Sequence, residues 1–148
     1  SIHELYSRIT TAINILWQQH WDQSTKGRTL HQLQPKVDRV IQTSNKLDPR
    51  DQKIINRLRT GKTLIRTSHE QDPNTQCTLC NQMDTLHHII NDCPQHNQAR
   101  QTLQEAQKIL QAPSTYPECL DPTKNTNLQY TYNNLLTFLK TTDKYQYL

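Results

Sequence analysis

Apolar side chains are scarce in this chain: they make up 32% of its 148 residues, with one methionine, one phenylalanine and a mean hydropathy of −0.92. A core built from so few is thin for the length. That is the situation in which a metal staple matters, because the binding free energy of a structural ion becomes folding free energy. No apolar run is long enough to cross a bilayer and no basic-then-apolar segment opens the chain, which argues against a membrane span or a signal peptide. Glycine is rarer still, with Gly27 and Gly61 the only two. Valine is infrequent and no segment alternates apolar with polar residues, so nothing demands a strand. An initial methionine is missing too, as in an excised fragment, and the length suits one domain or one compact piece of a larger protein.

Against these shortages stands one dense stretch, CTLCNQMDTLHHIINDC, from Cys77 to Cys93. With His88 as the histidine, it reads C-x2-C-x7-H-x4-C, the spacing of a four-coordinate structural zinc site. The two-residue gap between Cys77 and Cys80 lets a tight turn aim both thiolates at one point, with backbone amides facing the sulfurs. Asp84 is expected to cap a helix carrying Leu86, His88, Ile89 and Ile90. His88 and Cys93 are five residues apart, about 500° around a helix, so they converge only if its last turn loosens. Pro94 favours that loosening by disfavouring helical geometry at Cys93. His87 is the rival ligand, giving C-x6-H-x5-C; His88 is preferred because it lies a turn before the closing cysteine. Cys119, far along the chain, is expected to be a free, partly buried thiol. Cysteines used as ligands, with no second even set for bridges, point to a reducing compartment.

Charge is unevenly placed. The formal net charge is +4, but 11 of the 17 basic residues lie between Lys26 and Arg66, opposed there only by Asp38, Asp48 and Asp51, so that window is +8. A basic band suggests a polyanion, since phosphate contacts supply most non-specific nucleic-acid affinity. The bland alternative is a solvated helical surface.

Periodicity predicts an all-α protein, a small helical bundle with one CCHC zinc knuckle. Residues 2 to 22 form an amphipathic helix on Ile2, Leu5, Ile9, Ile13, Leu16 and Trp17. Trp17 and Trp21 could serve as a base-stacking platform, but core packing is the expectation. Ser24 to Arg28 ends this helix. The chain is then expected to be extended up to Pro35, with a short helix after it. Asp48 and Pro49 open a helix that buries Ile54, Ile55 and Leu58 and stops at Gly61. Its polar face holds Arg50, Lys53 and Arg57, with Arg59, Lys62 and Arg66 just beyond, and these six are the candidate nucleic-acid contacts. Gly61-Lys62-Thr63 is not a phosphate-binding loop, because Asn56 stands where the first glycine belongs and a helix precedes it. A polar turn at Asp72-Pro73-Asn74 leads into the zinc stretch. After Pro94 a helix is expected on Ala99, Leu103, Ala106 and Leu110, then a loop between Pro113 and Pro117. A last helix follows on Leu128, Tyr132, Leu135, Leu136 and Leu139. The chain thus divides into 1–47, an amino-terminal helix and basic linker; 48–112, the basic helix, the zinc stretch and the next helix; and 113–148, a loop and the last helix.

In this order the motifs resemble the carboxy-terminal region of the reverse-transcriptase polyprotein of non-LTR (LINE-type) retrotransposons, especially jockey- and I-like elements. The family's W-x3-W-x2-S-x-x-G-R segment is matched by Trp17, Trp21, Ser24, Gly27 and Arg28. Its R-L-R-T-G-H stretch is matched from Arg57 to Gly61, with Lys62 in place of the histidine. Its C-x2-C…H-x4-C-P knuckle is matched by Cys77, Cys80, His88, Cys93 and Pro94. The resemblance implies an upstream reverse transcriptase, in some lineages a ribonuclease H domain ending just before the first helix. It further implies a knuckle region that holds template RNA or target DNA during target-primed reverse transcription, within a nuclear and cytoplasmic ribonucleoprotein. Expected, then, is a non-catalytic nucleic-acid-binding module with one structural Zn2+ on Cys77, Cys80, His88 and Cys93. The alternative is a protein-interaction module docked on the upstream polymerase or ribonuclease H domain. Catalysis is not expected in this segment, because carboxylates are scattered and no Glu stands beside the ligands to act as acid or base.

Overall fold

The computed structural model describes residues 1–37, 46–63, 65 and 76–148. It is mostly helical, and among the described residues there is no strand; Gln76 and Met83 form an isolated antiparallel bridge. The expected short helix after Pro35, the Asp72-Pro73-Asn74 turn and Arg66 fall largely or wholly outside those residues.

Helix α1 runs Ile2–Gln23, begun by Ser1, whose Oγ accepts from the Glu4 N–H at 3.2 Å. It buries no residue. Its apolar stripe faces out, and Trp17 is 65% exposed, which overturns its expected place in the core. What holds α1 is its more polar side: Gln18 Nε2 donates to the Pro35 carbonyl at 2.7 Å, and Gln18 Oε1 accepts from the Val37 N–H at 3.0 Å.

Helix α2, Arg28–Leu33, forms where an extended stretch is expected. The cause lies at the corner before it. Gly27 sits at φ 69°, and a Cβ there would meet the Trp21 ring at 3.1 Å, so the indole closes on a backbone that only glycine leaves open. Trp21 Nε1 donates to the Gln34 carbonyl at 2.8 Å, the Arg28 guanidinium lies 5.5 Å over the Trp21 ring and donates to its carbonyl, and His31 Nε2 reaches Asp22 Oδ1 at 3.0 Å. These contacts fix the turn for α2 before Pro35 can matter.

Helix α3, Pro49–Thr60, starts and stops as its sequence dictates. Asp48 Oδ1 accepts from the Arg50 N–H at 2.8 Å and Gly61 closes the helix at φ 72°, with the Lys62 N–H on the Arg57 carbonyl at 2.9 Å. Replacing Asp48 by Ala removes that cap and is expected to cost about 1 kcal/mol, read as a lower Tm at unchanged helix content.

One core gathers Ile54, Ile55 and Leu58 of α3, Leu86, Ile89 and Ile90 of the following segment, and Leu120, Tyr132, Leu135, Leu136 and Leu139. Helix α4 is Asn97–Ile109 and α5 is Leu128–Thr141, packed on each other. Of the expected row of α4, Leu103 is buried, Ala99 packs at the core's edge and Ala106 and Leu110 are half-buried; the structure adds Arg100 and Gln107, which are buried beside Leu103. Gln107 is tolerated at full burial because its amide donates to the Pro113 and Thr131 carbonyls and accepts from Asn134 Nδ2 at 3.0 Å. Cys119 is fully buried, not partly, since it lies inside this core, and burial pushes its thiol up to about 12.

Candidate metal centre

The four cysteine and histidine side chains singled out by spacing come together. The ligand atoms of Cys77, Cys80, His88 and Cys93 all lie within 4.8 Å of one another. Cys77 and Cys80 are placed by a tight hairpin: the Cys77 N–H donates to Gln82 O at 2.6 Å, the Asn81 N–H to Cys77 O at 2.8 Å, and Asn81 turns through φ 62°. His88 and Cys93 come from the next element, Leu86 to Asp92. Its cap is Thr85 and not Asp84: Thr85 Oγ1 accepts from the His88 N–H at 3.1 Å, while Asp84 Oδ2 faces Lys144 Nζ at 3.7 Å. From His88 to Asp92 the helix widens to a π turn, and the Cys93 N–H reaches back five residues to the His88 carbonyl at 2.7 Å. This is the loosened last turn that a five-residue separation requires.

The distances are compatible with a metal ion held between the four side chains. Bonds of about 2.3 Å to sulfur and about 2.0 Å to nitrogen put neighbouring ligand atoms about 3.8 Å (S to S) and about 3.5 Å (S to N) apart. Here Cys77 Sγ and Cys80 Sγ each lie 4.0 Å from Cys93 Sγ, and Cys80 Sγ lies 3.1 Å from His88 Nε2. The thiols are unequal. Burial works to keep Cys77 protonated, but the N–H groups of Leu79 and Cys80 together with the neighbouring thiols outweigh it, and the group shifts down. In Cys93, burial wins over the Gln95 N–H and, with Cys77 adding to it, pushes the thiol up to about 11. A cation entering the site must therefore displace the Cys93 proton. All four cysteines, Cys119 included, are free of disulfides.

His87 is turned away: it is exposed, its Nδ1 lies 2.9 Å from Asp92 Oδ2, and its ring meets Tyr116 edge-on at 6.4 Å. The rival spacing therefore does not describe this cluster.

Two residues that spacing alone does not single out hold the ligand-bearing turn. Arg100, 8% exposed, donates from Nε to Ile90 O at 2.7 Å and from one terminal nitrogen to Ile89 O at 3.2 Å and Cys93 O at 2.8 Å, the other reaching Asn97 Oδ1 at 2.7 Å. Its planar fork thus takes up the carbonyls that end the π turn. Asn91 pairs in both directions with the Tyr116 backbone, donating to its carbonyl at 3.0 Å and accepting from its N–H at 2.9 Å, which clamps the Pro113–Pro117 loop onto the same turn. The available signal for Arg100 was its phase with Leu103 and Gln107, three and four residues apart, read only once a charged side chain is admitted to the buried row.

The six candidate basic residues separate. Lys53 and Lys62 are exposed on a shallow groove shared with Pro49, Gln52, Asn56, Arg57 and Thr60. Arg50 lies 5.3 Å over the Tyr145 ring, and Arg57 donates to the Leu148 carbonyl at 3.1 Å. Arg59 is 7% exposed and turned inward, so it is placed away from any external phosphate. Arg66 lies outside the described residues. No described helix is long and apolar enough to cross a membrane. Compared with protein families, with curated proteins and with solved structures, the chain matches none.

Proposed function

We propose that this chain is a non-catalytic nucleic-acid-binding zinc-knuckle module of a retrotransposon reverse transcriptase, one that holds template RNA or target DNA during target-primed reverse transcription. The observation that carries the reading is the convergence of Cys77, Cys80, His88 and Cys93 in a fold that presents Lys53 of α3 and Lys62 just past its end to solvent. Zn2+ is the ion of choice: three soft thiolates and an imidazole in tetrahedral array suit it, and closed four-coordination leaves no open position for a substrate, so the ion is structural. The hairpin and the π turn then act as a rigid mount. Phosphate contacts come from Lys53 and Lys62, with Arg50 and Arg57 at the groove edge, and they position the nucleic acid without reading bases.

The test is binding of single-stranded RNA and duplex DNA as a function of salt. The double variant Lys53→Ala, Lys62→Ala is expected to weaken binding equally across sequences and to flatten the slope of log K against log salt by about 0.7 to 0.9 for each phosphate no longer neutralised. An affinity that does not change with salt, or its absence in the micromolar range, overturns the reading. Such a result, with co-purification of the upstream polymerase or ribonuclease H segment, installs the protein-docking alternative instead.

A further inference from the structure

Among the described residues, nothing covers the apolar stripe of α1. Ile2 (85% exposed), Leu5 (59%), Tyr6 (73%), Ile9 (50%), Ile13 (45%), Leu16 (64%) and Trp17 (65%) lie within one band along a 22-residue helix. At 100° per residue the band is about 120° wide, the width of a face that normally points into a core. The contacts that hold α1 to the rest of the chain come from Gln18 and Trp21, on another side of the helix. The fold has therefore oriented α1 with its apolar face outward and fixed it there by hydrogen bonds.

We infer that this face is a two-fold interface with a second copy of the same chain, α1 pairing with α1. Three observations select that occupant. The first is periodicity: Ile2, Leu5, Ile9, Ala12 and Leu16 alternate steps of three and four residues, the pattern that seats knobs of one helix in holes of another with the same repeat. Among the described residues no other helix leaves such a row free, since the apolar rows of α3 and α5 lie in the core. Area is the second. The exposed parts of those seven side chains amount to something on the order of 800 Å² per copy, close to what each partner of a stable complex contributes. The third is charge: Glu4, Arg8 and Asp22 are the only acidic or Lys/Arg side chains on α1, and Glu4 is bonded to Arg8 within the helix at 3.1 Å, so two copies can approach without opposing like charges. A phosphate backbone is a poor occupant for the same reason, and a two-fold contact is the commonest way such a face is covered. The inference does not depend on what the α3 groove binds.

Sedimentation equilibrium of the zinc-loaded chain tests it. The mass is expected to rise with concentration toward twice 17.4 kDa. Ile9→Asp with Leu16→Asp is expected to raise the dimer dissociation constant at least 100-fold, whereas Ser7→Lys, off the stripe, leaves it unchanged. Since α1 buries nothing in the monomer, metal content and helical circular dichroism stay as in the parent chain. Concentration-dependent hydrogen exchange gives a readout without substitutions: amides of residues 2–17 gain protection as the dimer fills, while those of α5 do not change. A chain that remains monomeric at about 100 μM, or a dimer indifferent to both aspartates, overturns the inference. So does a one-to-one complex with the upstream segment formed in place of the dimer.

Discussion

Treatment with a strong chelator is expected to abolish the cooperative unfolding transition, and Cys80→Ser or His88→Ala is expected to do the same. The magnitudes decide this. A structural zinc contributes apparent binding free energies of about 10–16 kcal/mol at neutral pH, as much as the whole stability of about 5–15 kcal/mol expected of a domain this size. The thin core is tied to the site, because three of its members, Leu86, Ile89 and Ile90, lie on or beside the turn that also carries His88. Cys119 supplies the measurement. It is fully buried and lies apart from the four-residue cluster, so it reports the core and not the site. With metal bound, a maleimide reagent is expected to label none of the cysteines. With chelator, all four are expected to label together, because the core opens when the site does. Labelling of Cys77, Cys80 and Cys93 alone, with Cys119 protected, sinks the idea that the ion holds the fold. So would a purified chain that carries one ion per molecule of something other than zinc, as far as the choice of metal goes.

Arg100→Ala is expected to be the most damaging substitution outside the ligand set. Removing the guanidinium takes the Arg100 donors from the Ile89 and Ile90 carbonyls in a buried place and leaves Cys93 O with the His96 N–H, at about 1–3 kcal/mol for each carbonyl left unsatisfied. A loss of about 3 kcal/mol or more is therefore expected in chemical denaturation. Because those carbonyls terminate the π turn bearing His88 and Cys93, metal affinity should fall about 10- to 100-fold in competition with a chelating dye, in line with losses seen when groups behind metal ligands are removed. Arg100→Lys is expected not to rescue either quantity: a single ammonium cannot span four acceptors that a planar fork with five donors satisfies at once. Should lysine restore both stability and affinity, the fork geometry is irrelevant and only the charge matters.

Chelation probes residues that spacing singles out, whereas the Arg100 substitution probes one that it does not. The clustering of Cys77, Cys80, His88 and Cys93 was legible because it is written in short spacings: C-x2-C can close on one point only through a tight turn, and a histidine five residues before a cysteine needs a widened helical turn to bring both inward. The α3 helix was equally legible. Asp48, Pro49 and Gly61 act within a few bonds of their own positions, so their effects do not wait on the rest of the chain. The stripes of α3 and α5 likewise named their buried residues, since apolar area removed from water is favourable whatever it packs against.

Other features depended on partners far away in sequence. Whether Arg59 and Arg100 face water or the interior, whether Thr85 or Asp84 caps the ligand helix, and which row of α4 turns inward are settled by which donors and acceptors the folded chain brings within reach. The same holds for α1, whose amphipathic pattern announced a buried face without saying whose. The sequence by itself determined the Cys3His cluster and the helices that carry their own start and stop signals. Tertiary structure alone decided the fate of each polar or amphipathic side chain, because the free energy of burying one has no fixed sign until its hydrogen-bonding or apolar partners are in place.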